Sequence, residues 1–308
     1  MKNQSPVNQF PNNSKLFSYK DATYRIYSSM PEIVEKEIAK QRDTLEAFLR
    51  EHDSFREALL PVPPLTDGPE IACRMQRASR IVSGGFPDMQ DIEPKAYEDD
   101  RDSLSSTQAT TAAGVGPMAA ADADQMPSAV DNTFKGVGPM AGVAGTIAQM
   151  AVEAALEAGE RECMVDNGGD IFLVSEKSIT IGLYIGKHPL SGKLAMRIEH
   201  ESTPLAVCSS SSFLGHSKSF GLCDLATVVS ADAALADCAA THACNLVRST
   251  ADIGPAAERI ASVPGIQGVL IIKEDKISLA GAFPILIPLD SPDIALRVTR
   301  DKRSILPD

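Results

Sequence analysis

Apolar positions along this chain follow two different periods, and the places where the period changes divide it. The run "FSYKDATYRIYSS", with Phe17, Tyr19, Tyr24 and Tyr27, predicts one or two opening strands. Pro31 then starts a helix in which Val34, Ile38, Leu45, Phe48 and Leu49 recur at helical spacing with charges between them. "PVPPLTDGPE" breaks it, and Ile71, Met75, Ala78 and Ile81 mark one face of a second helix. Over 83–134 the periodicity gives way to Gly, Pro, Ser, Ala and acids, a composition that predicts a disordered insertion. A third helix carries Val143, Ile147, Met150, Ala151, Ala155 and Leu156 and ends before Gly159. Short β-rich runs and tight turns follow: "ECMV", "IFLV", "SITIGLYIG", "LAMRIEH", "PLAVC" and "LATVVS". A helix over about 233–247, a short one near 255–262 and a closing hairpin in "GVLIIKEDKISLAGA" complete the series. Helices early and late with strands between them predict an α+β fold on mixed or antiparallel sheets. The expected divisions are a disordered tail at 1–15, a first part of the domain at 16–82, the insertion at 83–134, the rest of the domain at 135–290 and a C-terminal tail at 291–308.

The hexapeptide "GVGPMA" occurs twice, beginning at Gly114 and at Gly136. Only the second copy runs into an apolar helix, so it is the structural one, and the first reads as a partial duplication. Charge separates the same region from the rest. The chain of 308 residues carries a net charge of −12. Between Asp88 and Asp131 ten acids face two bases, and that stretch supplies −8 of it. The remainder is mildly acidic, with no basic footprint for nucleic acid or an anionic membrane. Aromatics make up 5% of the residues and Trp is missing, which excludes a base-stacking surface. No apolar run approaches the length needed to span a bilayer, and the Asn- and Pro-rich start lacks the core of a signal peptide. The six dispersed cysteines lack CxxC spacing and are expected to be reduced thiols in a cytoplasmic protein.

Three segments carry candidate chemistry. In "SADAALADCAATHACN", Asp232 can cap a helix, and Asp237 and Thr241 lie four apart on one helix face. A carboxylate and a hydroxyl so placed offer two hard oxygens suited to Mg²⁺ or Ca²⁺ if a backbone carbonyl and waters complete the shell, although a polar stripe on a half-buried helix is the simpler reading of the spacing alone. In "VDNGGD", Gly168 and Gly169 permit a close approach of backbone to ligand, with Asn167 and Asp170 as flanking acceptors. Any hairpin turn between two strands looks similar. In "AVCSSSSFLGHSKSFG", Cys208 is a candidate nucleophile or persulfide carrier and His216 a candidate acid or base. Ser209, Ser210, Gly215 and Ser217 can offer hydroxyls and backbone N–H groups to an anion. A Ser-rich surface loop beside an inert cysteine is the competing reading. No Walker A, GxGxxG, GxSxG or HExxH pattern is present.

Taken in order, "GVGPMAGVAGTIAQ", "VDNGGDIFL", "PLAVCSSSSFLGHSKSFG" and "TVVSADAALADCAATHACN" resemble the ApbE-like superfamily, which includes transferases that attach FMN to a protein threonine using FAD and Mg²⁺. The resemblance is strongest to a smaller cytoplasmic branch of ApbE-related proteins without the acidic insertion. It implies an ApbE-like fold with flanking helices, a small anionic or nucleotide-like ligand, Mg²⁺ and FAD or FMN as cofactors, and an enzyme. By resemblance Asp237 and Thr241 hold the metal. The glycine-containing helix start with Gly138, Pro139 and Met140 donates a backbone carbonyl and approaches the nucleotide. "NGGD" lies beside that nucleotide, and the segment from Cys208 to His216 faces the substrate. Relatives in this branch have been linked to sulfide assimilation and homocysteine formation, for which Cys208 would be the sulfur-handling thiol. FMN transfer and a non-catalytic flavin- or metabolite-binding module are the alternatives. The transferases carry an acid soon after the histidine, whereas "HSKSFG" is followed by none until Asp224. A homodimer is compatible with all three readings.

Overall fold

The computed structural model describes residues 14–84, 136–213 and 220–289. Eleven strands and six α-helices are present among them. Strands β1 (Lys15–Tyr19) and β2 (Ala22–Tyr27) open the chain. Helices α1 (Pro31–Glu51), α2 (Asp53–Glu57) and α3 (Glu70–Val82) follow. A 3-10 turn (Pro139–Gly142) leads into α4 (Val143–Glu157). Then come β3 (Cys163–Asn167), β4 (Asp170–Val174), β5 (Ile179–Gly182), β6 (Leu194–Ile198), β7 (Leu205–Ser210) and β8 (Leu225–Ser230). Helices α5 (Ala233–Leu246) and α6 (Ile253–Ala261) precede β9 (Ile266–Lys273), β10 (Lys276–Gly281) and β11 (Ile285–Pro288).

Eight strands form one antiparallel sheet in the order β1-β2-β3-β4-β7-β8-β9-β10, and a second sheet has the order β11-β6-β5. Both faces of the large sheet are covered in its middle, so alternate residues of one strand enter different cores. Ala206 and Cys208 of β7 join the core under the helices, while Leu205 and Val207 join the core under the small sheet. Burial on both sides explains why these strands read as continuous apolar runs rather than as an alternation. The expected α+β class is observed. The short helix α2 and the strand β11 escaped the periodicity, being five and four residues long. The expected acidic insertion falls outside the described residues. Its flanks are drawn together: the Ser83 hydroxyl accepts the Val137 N–H at 3.2 Å, and the Ser79 hydroxyl donates to the Val137 carbonyl at 2.6 Å.

Helix α5 is the centre of the molecule. All fourteen of its residues are buried, against β7, β8, α3, α4 and α6. Only a thin helix fits so many neighbours, which is why its sequence is rich in Ala. Helix α4 approaches it closely at two glycines. A Cβ at Gly145 would lie 2.4 Å from the Ala233 carbonyl oxygen, and one at Gly142 would lie 2.9 Å from the Cys238 sulfur. The two helices also cap one another. The Asp237 carboxylate accepts the Gly145 N–H at 2.9 Å in the first turn of α4, where Gly142 offers no side chain. In return the Gln149 side-chain oxygen accepts the Ala233 N–H at 2.8 Å, and Asp232 accepts the Leu235 N–H at 3.0 Å.

Two outcomes follow from this packing. Gly145→Ala should lose roughly 1–3 kcal/mol in chemical denaturation, because the Ala233 carbonyl it would meet is backbone and cannot rotate away. Unchanged stability would mean the helices separate freely. The second concerns His242, 1% exposed on α5, with no partner for either ring nitrogen among the described residues. Burial, with Arg259 as a second cause, pushes its imidazole down to about 4 from 6.5. The unfolded chain therefore takes up the proton first, so stability is complete above about pH 6.5 and is lost as the pH falls towards 4. The loss should reach about 3 kcal/mol and be missing in His242→Leu, as read from denaturation midpoints across that range. Parallel pH profiles for the two proteins would contradict it.

Candidate functional site

The β3–β4 hairpin turns at Gly168 and Gly169, whose φ values are +71° and +105°. Such angles favour glycine, and a Cβ at either position would meet nothing within 4 Å, so the turn borders open space. Asn167 and Asp170 close the turn on its two sides. The pairing of Ile171 with Val207 sets Asp170 next to Cys208, both on the helix-facing side of the sheet. Two residues further along β7, Ser210 lies on the same face. Its hydroxyl is buried and has no hydrogen-bond partner among the described residues.

Above this floor lie the first turn of α4 and the side of α5. Asn167 donates its amide to the Ala144 carbonyl at 3.1 Å, and Asp237 accepts from the next residue, Gly145. Asp237 and Thr241 are one helical turn apart on α5, 7% and 8% exposed. Asp170 accepts the Ser209 N–H at 3.2 Å and lies beside the Cys208 thiol. The Cys208 thiol in turn lies 3.6 Å from the Ala233 carbonyl oxygen, at the head of α5. Asn167, Asp170, Cys208 and Asp237 are thus gathered about the starts of α4 and α5, with Ser210 further along β7 and Thr241 one turn further along α5.

None of those six side chains can carry a positive charge, and two are carboxyls. Burial pushes the Asp237 carboxyl up to about 7, against the opposing pull of the Gly145 and Ala144 N–H groups. Burial raises Asp170 well above the usual carboxylate range, and the neighbouring Asp237 charge raises it further. Without a cation such a site holds a proton near neutral pH; a divalent ion binding there would have to displace it. Among the described residues no three His, Cys, Asp or Glu side chains converge on a metal-sized centre. A cation here would be held by carboxylates together with neutral oxygens, the donor set of Mg²⁺ rather than of Zn²⁺.

The sequence-based expectations meet this geometry unevenly. Asn167 and Asp237 meet at the start of α4, Asp170 lies close enough to feel the Asp237 charge, and Gly168 and Gly169 form the turn beside them; Thr241 lies one helical turn along α5, and Ser210 lies two residues beyond Cys208 on the helix-facing side. Ser209 contributes its N–H, but its hydroxyl is turned to the opposite face, 2.9 Å from the Thr227 hydroxyl. Cys208 lies inside strand β7 rather than in a loop and is 0% exposed. Burial, with Asp170 and Asp237 nearby, pushes its thiol well above the ordinary value, so the thiolate that a nucleophile requires is disfavoured. Gly138 serves packing, since a Cβ there would lie 1.7 Å from the Ala58 carbonyl oxygen. Pro139 is buried in the 3-10 turn and Met140 is half-buried. Gly215, His216 and Ser217 lie outside the described residues.

Several contributors were missed by sequence reasoning. Gly142 and Gly145 matter more than the GPM tripeptide, and their three-residue spacing on a helix face was the available signal. A second cluster holds the return arm of the Ser-rich segment. Ser212 accepts the Cys223 N–H at 3.0 Å and lies 3.3 Å from the Cys244 sulfur, and Leu222 donates to Val247 at 2.7 Å. No spacing rule announces contacts between residues so far apart.

Comparison with known proteins agrees with this architecture. A family described as AbpE bacteria matches residues 93–262. A UPF0280 protein of Methanocella arvoryzae is 32% identical over 281 residues, covering 88% of this chain and 93% of its own. The UPF0280 protein of Archaeoglobus fulgidus is 40% identical over 287 residues, covering 90% and 95%. Among solved structures, the apo flavinyl transferase ApbE of Pseudomonas stutzeri has a TM-score of 0.47 at 13% identity, covering 90% of this chain and 98% of that one; nothing below rests on that likeness. No helix among the described residues is long and apolar enough to cross a membrane. With one family match over more than half its length and archaeal relatives aligned along nearly all of it, the chain belongs to the ApbE-like superfamily, in the UPF0280 family.

Proposed function

We propose that the cleft between the Gly168–Gly169 turn, the start of α4 and the side of α5 binds a flavin nucleotide or a closely related anionic ligand through a divalent cation. The observation that carries this is the buried Asp237 carboxylate, on a helix face shared with Thr241, reaching the same helix start as Asn167 from the glycine turn. The cleft side chains hold no positive charge. Phosphates would therefore be repelled unless a cation stood between them and the protein.

The chain's own groups have separable tasks in this reading. Asp237 and Thr241 would hold Mg²⁺ through two hard oxygens. The Gly145 N–H keeps the Asp237 carboxylate in one orientation, and Asn167 fixes the Ala144 carbonyl beside it. The open turn at Gly168 and Gly169 leaves room for a flat or phosphorylated ligand to approach backbone. Mg²⁺ bound there would neutralise and polarise the phosphate oxygens of its ligand. Cys208 is assigned to the floor as a packing residue, so the sulfur-transfer reading finds no support in its surroundings.

Two measurements check this. FAD with Mg²⁺ should stabilise the protein by about 2.7 kcal/mol at a hundredfold excess over Kd, seen as a rise in melting temperature. Asp237→Asn keeps an oxygen for the Gly145 N–H and removes the charge. It should fold as well as wild type yet show no Mg²⁺-dependent rise; a retained rise would refute the metal assignment. Iodoacetamide added to the folded protein should modify Cys73, which is half-buried, and spare Cys208. Rapid labelling at Cys208 by mass spectrometry would restore it as a reactive thiol.

A further inference from the structure

We propose that Asp170 is a second carboxylate ligand of the divalent cation, so that one ion is held between Asp170 on the sheet and Asp237 on α5. This deepens the reading above and rests on it. The register of β4 against β7 turns Asp170 towards the helices, and β4 packs against both α4 and α5. Asp237 is fixed on the helix side through Gly145, near enough for its charge to act on Asp170.

The way Asp170 is solvated argues that its charge has a purpose. The carboxylate is 8% exposed, and the N–H it accepts, from Ser209, is at 3.2 Å. The neighbouring Cys208 thiol, a weak donor, is turned to the Ala233 carbonyl oxygen 3.6 Å away. An asparagine at 170 would accept the same N–H and could donate to Asp237. An aspartate instead sets a second carboxyl against the first, and the two can be ionised together only with a cation between them. Ser210 points to the same conclusion independently. The residue is 6% exposed, faces the helices two residues beyond Cys208, and its hydroxyl has no partner among the described residues. A buried hydroxyl without a partner is costly, and a hydrated ion at the carboxylate pair would supply one. Two carboxylates match a divalent charge, and hydroxyl and water oxygens complete a hard-ligand shell suited to Mg²⁺ or Mn²⁺.

The test uses Mn²⁺ alone, titrated into the full chain and followed by electron paramagnetic resonance. Wild type should bind one ion, and Asp237→Asn should lose it. Asp170→Asn should weaken binding at least about tenfold while its melting temperature without metal stays the same or rises. If Asp237→Asn loses the ion but Asp170→Asn binds as wild type does, the second ligand is refuted and the cation site stands. If Asp237→Asn keeps wild-type affinity, or wild type binds nothing, the underlying reading fails and this inference with it. Should Asp170→Asn not fold, wild type labelled with ¹³C at its aspartate carboxyls decides the matter by electron–nuclear double resonance. Two strongly coupled carboxyl carbons on bound Mn²⁺ support the proposal, and one overturns it.

Discussion

The contact of α4 with α5 governs the rest of the molecule. Two glycines let the backbones touch, and the Asp237 carboxylate closes the first turn of α4 from the neighbouring helix. A side chain of the same helix, Gln149, returns the bond to the first residue of α5. Because each helix supplies a cap for the other, neither can rotate or slide without exposing backbone N–H groups. The strands beneath inherit this rigidity, since α5 lies along β7 and β8 and fixes which of their side chains face it.

That arrangement also loads the site electrostatically. Asp237 is needed for the helix contact, so it must be buried, and burial raises its pKa towards neutrality. Asp170 on the adjoining strand compounds the strain. Structural and binding roles thus meet in a single carboxylate. A cation or a proton is required to balance the pair, and the choice between them depends on pH and on metal supply.

Much of the fold could be read from the chain. The long helices were marked by Val34, Ile38, Leu45 and Phe48, and by Ile71, Met75 and Ala78, because each has one buried stripe. The turn in "NGGD" was legible because glycine pairs between strands have few other uses. The i, i+4 spacing of Asp237 and Thr241 placed both on one face, and the structure keeps them there. Cys208 and Ser209 were less legible. Facing is set by strand register, and only pairing with β4 and β8 shows that the thiol turns inward and the Ser209 hydroxyl turns away. The role of Gly145 depended on a carbonyl, Ala233, that lies 88 positions further along the chain, and the local pattern carries no trace of it.

The central claim is that Asp237 turns from a helix cap into a ligand when a cation arrives. A crystal of the full chain grown with Mn²⁺ and FAD, measured at the manganese absorption edge, tests it most directly. The account predicts an anomalous peak about 2.1 Å from an Asp237 carboxylate oxygen, beside the Gly168–Gly169 turn, with the ligand's phosphates on its far side. Manganese bound elsewhere, with Asp237 still bonded to Gly145 alone, would contradict it.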